Sequence, residues 1–117
     1  MNYESIKLTL DGEHVARLTL ARPDIQNAMS MKLVQELRHA LRVIAANDKL
    51  RAVVLTGEGK SFCAGGDLNW MQSVLKQSRA ERIAESRVLA ELLYEFDTLP
   101  KVLVGRIHGA ATGGGLG

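Results

Sequence analysis

The chain has 117 residues, 46% of them hydrophobic and 24% charged, and its 15 basic and 13 acidic side chains leave a formal charge of +2. That length holds one domain with a modest core, and that composition excludes a disordered chain. The two signs of charge are interspersed without a basic stripe, aromatics make up only 4%, and no window approaches roughly 18 consecutive apolar residues, so neither nucleic acid nor membrane is an expected partner.

The opening Met1-Asn2-Tyr3-Glu4-Ser5 has neither the basic cap nor the apolar run of a signal peptide, which makes the cytoplasm the expected compartment. Ile6 to Leu10 and Ala16 to Leu20 alternate apolar and polar residues around Asp11-Gly12, a pattern that predicts a β-hairpin. Arg22-Pro23-Asp24 ends it, because proline lacks the amide that a continuing inner strand needs. Ser30 is placed to cap a helix running to about Asn47, with Val34, Leu37, Leu41 and Ile44 on an inward face and Arg38, His39 and Arg42 on a solvated one. Ala52 to Thr56 reads as a strand buried on both faces. After a glycine-rich loop, Asp67 is placed to cap a helix with Leu68, Met71, Val74 and Leu75 as its apolar stripe. A further helix is expected from about Arg79 to Leu99, with Ile83, Leu89, Leu92, Leu93 and Phe96 turned inward and Pro100 at its end. Val102 to Ile107 reads as another buried strand, so strand, helix and strand predict a right-handed crossover between parallel strands. The fold class expected is α/β. The chain stops at Gly117 inside a strand–turn–helix unit, as a truncated domain would.

Two glycine-rich elbows, Ala64-Gly65-Gly66-Asp67 and Gly113-Gly114-Gly115, each lie between an apolar strand and an expected helix start. Two readings are open. One is a pair of tight turns with no ligand; the other is two unpaired main-chain amides aimed at one oxygen, an oxyanion hole. Phosphate loops fit less well, since Val54 stands where a Walker A loop ending in Gly59-Lys60-Ser61 needs its first glycine, and Phe62 replaces the third glycine of a dinucleotide fingerprint. Cys63 is alone, which excludes an internal disulfide, and with no histidine near in sequence it reads as a packing residue. His14, His39 and His108 stand apart from one another, so no metal site is expected and each reads as a surface or packed residue.

Ser61-Phe62-Cys63-Ala64-Gly65-Gly66-Asp67-Leu68 resembles the F-C/S-A-G-x-D-L elbow of the enoyl-CoA hydratase/isomerase (crotonase) family. Gly109-Ala110-Ala111-Thr112-Gly113-Gly114-Gly115 resembles its second elbow, and Ala21-Arg22-Pro23-Asp24-Ile25-Gln26-Asn27-Ala28-Met29 its R-P-x-x-x-N-A-L/M loop. The resemblance spans nearly the whole chain and implies the N-terminal part of a ClpP/crotonase-type ββα superhelix.

It also implies an acyl-CoA thioester as substrate, with coenzyme A part of the substrate and no separate cofactor. By position, Gly66 and Gly114 match the two oxyanion-hole residues, and Ala64 would offer main-chain contacts to the CoA adenine. Gly66, Asp67, Leu68 and Asn69 would line the thioester and the pantetheine arm. Asp67 reads first as a helix cap rather than a catalytic group, Arg22 as a contact to a CoA phosphate or an anchor of its own loop, and Trp70 and Met71 as the border of an acyl pocket or as packing. The implied activity is hydration of a 2-enoyl-CoA, with isomerase, thioester hydrolase and decarboxylase chemistry as alternatives, and the implied assembly is a homotrimer or a dimer of trimers. Leu68-Asn69-Trp70-Met71 together with Gly113 to Gly117 is similar to the methylglutaconyl-CoA hydratase branch, which implies branched-chain acyl-CoA breakdown. One departure stands out: hydratases of the family carry a glutamate where this chain has Gly117, and their second glutamate falls beyond position 117. The 117-residue chain is therefore expected to bind and to polarise a thioester but not to turn it over.

Overall fold

A computed structural model describes residues 2–117. The two alternating runs form an antiparallel pair, β1 (Ile6–Asp11) and β2 (Val15–Leu20), with Asp11 opposite Val15 across a three-residue turn. Beyond β2 the chain leaves the sheet through a single 3-10 turn, Pro23–Ile25. Ser30 caps α1 (Met31–Ala46) by accepting a hydrogen bond from Leu33 N–H at 3.2 Å. Leu33, Val34, Leu37, Ala40, Leu41 and Ile44 form the buried stripe of α1, recurring at the three- and four-residue spacing of one helix face. They join Ala16, Leu18 and Leu20, the alternate inward residues of β2, and Val53 of β3 (Ala52–Gly57). Full burial of each leucine contributes about 1.5–3 kcal/mol, which makes this hairpin–helix–strand unit the core of the molecule.

The sheet runs β1-β2-β3-β4, where β4 is Val102–Gly105. β3 pairs in parallel with β2 on one side and β4 on the other. The two parallel connections run through α1 and through the pair α2 (Leu68–Leu75) and α3 (Arg79–Asp97), as parallel pairing requires.

Several expectations are corrected. Arg38 and His39 do not lie on a solvated face, because α3 and the N-terminus cover that side of α1. Arg38 pairs with Glu91 at 2.9 Å and with Glu95 at 2.7 Å, and His39 Nδ1 shares a 2.8 Å hydrogen bond with the Tyr3 hydroxyl. Glu36 is buried there too, accepting the backbone N–H groups of Glu4 and Ser5. The stripe on α2 has helical spacing but faces outward, with Leu68, Met71 and Leu75 exposed. It is Trp70 that packs on the core and donates to Glu85 of α3 at 2.8 Å. On α3 only Leu92 is fully buried; Ile83 and Leu93 are exposed and Leu89 and Phe96 half-buried. β4 ends at Gly105, two residues short of the expected strand, and all four of its residues are exposed, although Leu103 borders a cavity with Leu92, Leu93 and Phe96 of α3. The last elbow opens into a four-residue 3-10 turn, Gly113–Leu116, instead of an α-helix.

Candidate functional site

Beyond the main sheet, three extended segments lie side by side. Residues 62–67 form the middle one, joined to 26–29 through a parallel bridge between Met29 and Gly66 and to 110–112 through one between Cys63 and Ala111. On the first side Ala64 N–H donates to Gln26 O at 3.0 Å, Met29 N–H to Gly65 O at 2.5 Å and Asp67 N–H to Met29 O at 2.7 Å. On the second side Cys63 N–H donates to Ala110 O at 3.2 Å and Thr112 N–H to Cys63 O at 3.0 Å. This ribbon brings the two elbows together.

Asn27 fastens it. The residue is completely buried and left-handed at φ 55°, a conformation asparagine tolerates better than most residues. Its Nδ2 lies within 2.9–3.1 Å of the carbonyls of Glu58, Ser61 and Phe62, and its Oδ1 accepts Arg22 N–H at 2.8 Å. One side chain thus ties the Arg22–Met29 loop to the strand leading into the first elbow. Sequence reasoning quoted Asn27 as part of a motif without giving it a task. No local signal set it apart, because the carbonyls it satisfies lie more than 30 positions away along the chain.

Gly65 makes the first elbow turn. Its φ is +89°, and a Cβ there would stand 3.0 Å from Thr112 O and 3.6 Å from Gly114 N. The elbows therefore touch, at a point where only glycine fits both the dihedral and the space. Gly65 O is spent on Met29 N–H. In a trans peptide the C=O and N–H point to opposite sides, so the N–H of Gly66 is directed away from residues 26–29, toward the side that holds the second elbow. Among the described residues neither Gly66 N–H nor Gly114 N–H donates to any protein acceptor. Gly114 also sits close against the Met29 side chain, and a Cβ added to it would overlap Met29 Cε.

The expected substrate-lining residues come together in part. Ala64, Gly66, Asp67, Leu68 and Asn69 line one groove of about 540 Å³, opposite Asp24, Ile25, Gln26 and Ala28 of the proline-led loop. Gly114 lines a different space, an apolar cavity of about 120 Å³ that it shares with Met29, Cys63, Leu92, Leu93, Phe96, Leu103 and Gly117. Ala64 N–H is committed to Gln26, which leaves its carbonyl as the main-chain group open to a ligand. Asp67 caps α2, its Oδ1 accepting from Asn69 N–H at 2.7 Å and Trp70 N–H at 3.2 Å. Met71 lies on the first elbow, with its sulfur 3.3 Å from where a Gly66 Cβ would stand, whereas Trp70 is turned to Glu85.

Cys63 is buried and its thiol donates to Asn27 O at 3.2 Å. Burial pushes its pKa up, so at neutral pH it remains a thiol rather than a nucleophilic thiolate. Arg22 pairs with Asp24 at 3.6 Å within its own loop. His14 and His108 bind the carbonyls of Lys49 and Gly59, and no cluster of metal-ligating side chains occurs among the described residues.

The sequence profile of the enoyl-CoA hydratase/isomerase family matches residues 11–117. The chain belongs to the enoyl-CoA hydratase/isomerase family. The protein YngF of Bacillus subtilis is 38% identical over 114 residues, covering 97% of this chain and 43% of that protein. The mouse mitochondrial Δ(3,5)-Δ(2,4)-dienoyl-CoA isomerase is 35% identical over 123 residues, covering 98% of this chain and 38% of that enzyme. An enoyl-CoA hydratase from Shewanella pealeana has the same fold, with a TM-score of 0.93 and 34% identity over 97% of this chain and 42% of that one. The crotonase-type α/β fold expected from the three motifs is thus the fold of this chain. It spans less than half the length of these relatives. No helix among the described residues is long and apolar enough to cross a membrane.

Proposed function

We propose that this chain binds an acyl-CoA thioester and polarises its carbonyl with the N–H groups of Gly66 and Gly114, and that the parent reaction is hydration of a 2-enoyl-CoA. The observation that carries this reading is the pair of uncommitted amides on two touching elbows, one of them turned toward the other by the Gly65–Met29 hydrogen bond. Negative charge develops on the thioester oxygen when the β-carbon is attacked or the α-proton leaves, and fixed donors stabilise that charge without reorganising. The groove at Ala64, Asp67, Leu68 and Asn69 suits the thioester and pantetheine arm, with the Ala64 carbonyl available to an adenine amino group. Isomerisation is the second reading, favoured by the likeness to the mouse dienoyl-CoA isomerase, since the same hole would serve an enolate in either reaction.

Proton transfer is assigned to groups outside these 117 residues. The carboxylates nearest the elbows are occupied, Asp67 as a helix cap and Asp24 by Arg22, and no acidic side chain lines the cavity beside Gly114.

The test is spectroscopic. A conjugated enoyl-CoA absorbs at longer wavelength when its carbonyl is polarised, so binding to the purified protein should shift its spectrum to the red, with turnover well below about 1 per second. Gly66→Pro removes one donor and should abolish the shift, whereas Gly66→Ala keeps the N–H and should retain it. A full shift in a folded Gly66→Pro variant would rule out this amide. A chimera joining residues 1–117 to the remainder of the Shewanella pealeana hydratase separates the two reactions. Uptake of oxygen from labelled water identifies hydration, and double-bond migration without it identifies isomerisation.

A further inference from the structure

We propose that Met29 is a positioning residue that sets the spacing between the Gly66 and Gly114 amides; this rests on the oxyanion reading of those two groups. Its main chain holds the first elbow from both sides of Gly66, donating to Gly65 O at 2.5 Å and accepting from Asp67 N–H at 2.7 Å. Its side chain, only 7% exposed, reaches the second elbow, where a Cβ built on Gly114 would overlap Cε and stand 3.8 Å from Sδ. One residue therefore grips the first elbow with backbone and props the second with a thioether. Behind Gly115 the backbone of Cys63 closes the other side, with its O only 2.6 Å from a Cβ placed there. The second elbow has no side-chain cap of its own; backbone hydrogen bonds to Phe62 and Cys63 hold it as far as Thr112, and beyond that point the Met29 side chain is what stands against Gly114.

Methionine suits this task. Its unbranched chain carries a methyl group one bond further than leucine, and it needs no hydrogen-bond partner in the apolar cavity it lines. Its side chain borders that cavity and not the groove of Ala64, Asp67 and Asn69, so Met29 acts through the amides and does not touch the CoA arm. Oxyanion donors act at about 2.7–3.1 Å from the oxygen, so a change in spacing of the order of 1 Å detaches one of them.

The experiment compares unsubstituted protein, Met29→Leu and Met29→Ala by two readouts: the red shift of a bound conjugated enoyl-CoA, and the affinity for free CoA, which has no carbonyl at the hole. The shift should diminish in Met29→Leu and vanish in Met29→Ala, while the CoA dissociation constant changes by less than about twofold, the limit for sites that do not couple. A full shift in either folded variant overturns the proposal and leaves the hole standing. Parallel loss of shift and CoA affinity overturns it as well, because a merely structural residue would move both. No shift in the unsubstituted protein overturns the oxyanion reading itself. Should Met29→Ala fail to fold by circular dichroism, Met29→Leu decides, since that exchange is tolerated in packed cores.

Discussion

The two elbows follow neighbouring parallel strands and both turn on consecutive glycines, yet they are secured in different ways. The first, Cys63–Asp67, is stitched by backbone hydrogen bonds to a segment on each side and runs into an α-helix with a carboxylate cap. The second, Ala111–Gly117, keeps one bridge to Cys63, turns through four residues of 3-10 helix without a side-chain cap, and rests on the Met29 and Cys63 side chains. Backbone bonds fix a peptide's direction, whereas packing fixes only how near it can come. The first elbow is thus the rigid reference and the second the adjustable partner, whose position depends on the shape of its neighbours.

The largest expected effect breaks the rigid half. Asn27→Ala leaves the carbonyls of Ser61 and Phe62 and the N–H of Arg22 without their side-chain partner in a buried site. Stranding such groups costs about 1–3 kcal/mol each, and partial relaxation puts the total near 3–5 kcal/mol in urea unfolding. A loss below about 1 kcal/mol would show that the backbone bonds of the ribbon hold the first elbow unaided. Next in size is the cap. Asp67→Ala should cost about 1 kcal/mol, and Asp67→Asn should restore most of it because its oxygen can accept the same two N–H groups. Since the Met29 bonds persist in both, the enoyl-CoA red shift should survive. A stable Asp67→Asn protein without the shift would assign the carboxylate a part in the chemistry.

The same contrast separates what could be read in the sequence from what could not. Ser30 and Asp67 cap the helices they were expected to cap, and the hairpin and the parallel pairing of β3 with β4 follow from alternating and apolar runs separated by a turn or by helical periods, because these signals are local. The two glycine elbows were legible as well, since glycine between a strand and a helix start is a local backbone requirement. Asn27 and Met29 were not, because each acts on residues more than 30 positions away, and nothing local distinguishes an asparagine that satisfies distant carbonyls from one that faces water. The exposed stripe on α2 was misread for the converse reason. Apolar spacing shows that a face needs cover, and cannot show whether residues of the same chain provide it.

The smallest expected effect tests the adjustable half at Gly117, where family hydratases carry a glutamate. A Cβ there would stand 3.2 and 3.3 Å from the two Leu93 methyl groups, a close approach relieved by rotation of a side chain already 36% exposed. Stability in Gly117→Glu should therefore change by no more than about 0.5 kcal/mol. The carboxyl would then face either solvent or the apolar cavity bounded by Leu92, Phe96 and Leu103, and in the cavity desolvation favours its neutral form. An enoyl-CoA with an uncharged acyl group should bind the variant almost as it binds the parent chain. An acyl group bearing its own carboxylate, as the resemblance to the methylglutaconyl-CoA branch implies, should bind about three- to tenfold more weakly, because two carboxyl groups sharing one poorly hydrated site disfavour each other's ionised form. Comparing the two dissociation constants in both proteins separates charge from bulk, since bulk penalises both substrates alike. Tighter binding of the carboxylated thioester to Gly117→Glu would mean that the space beside Gly114 welcomes a charge, and a carboxylated acyl group would no longer explain a glycine at this position.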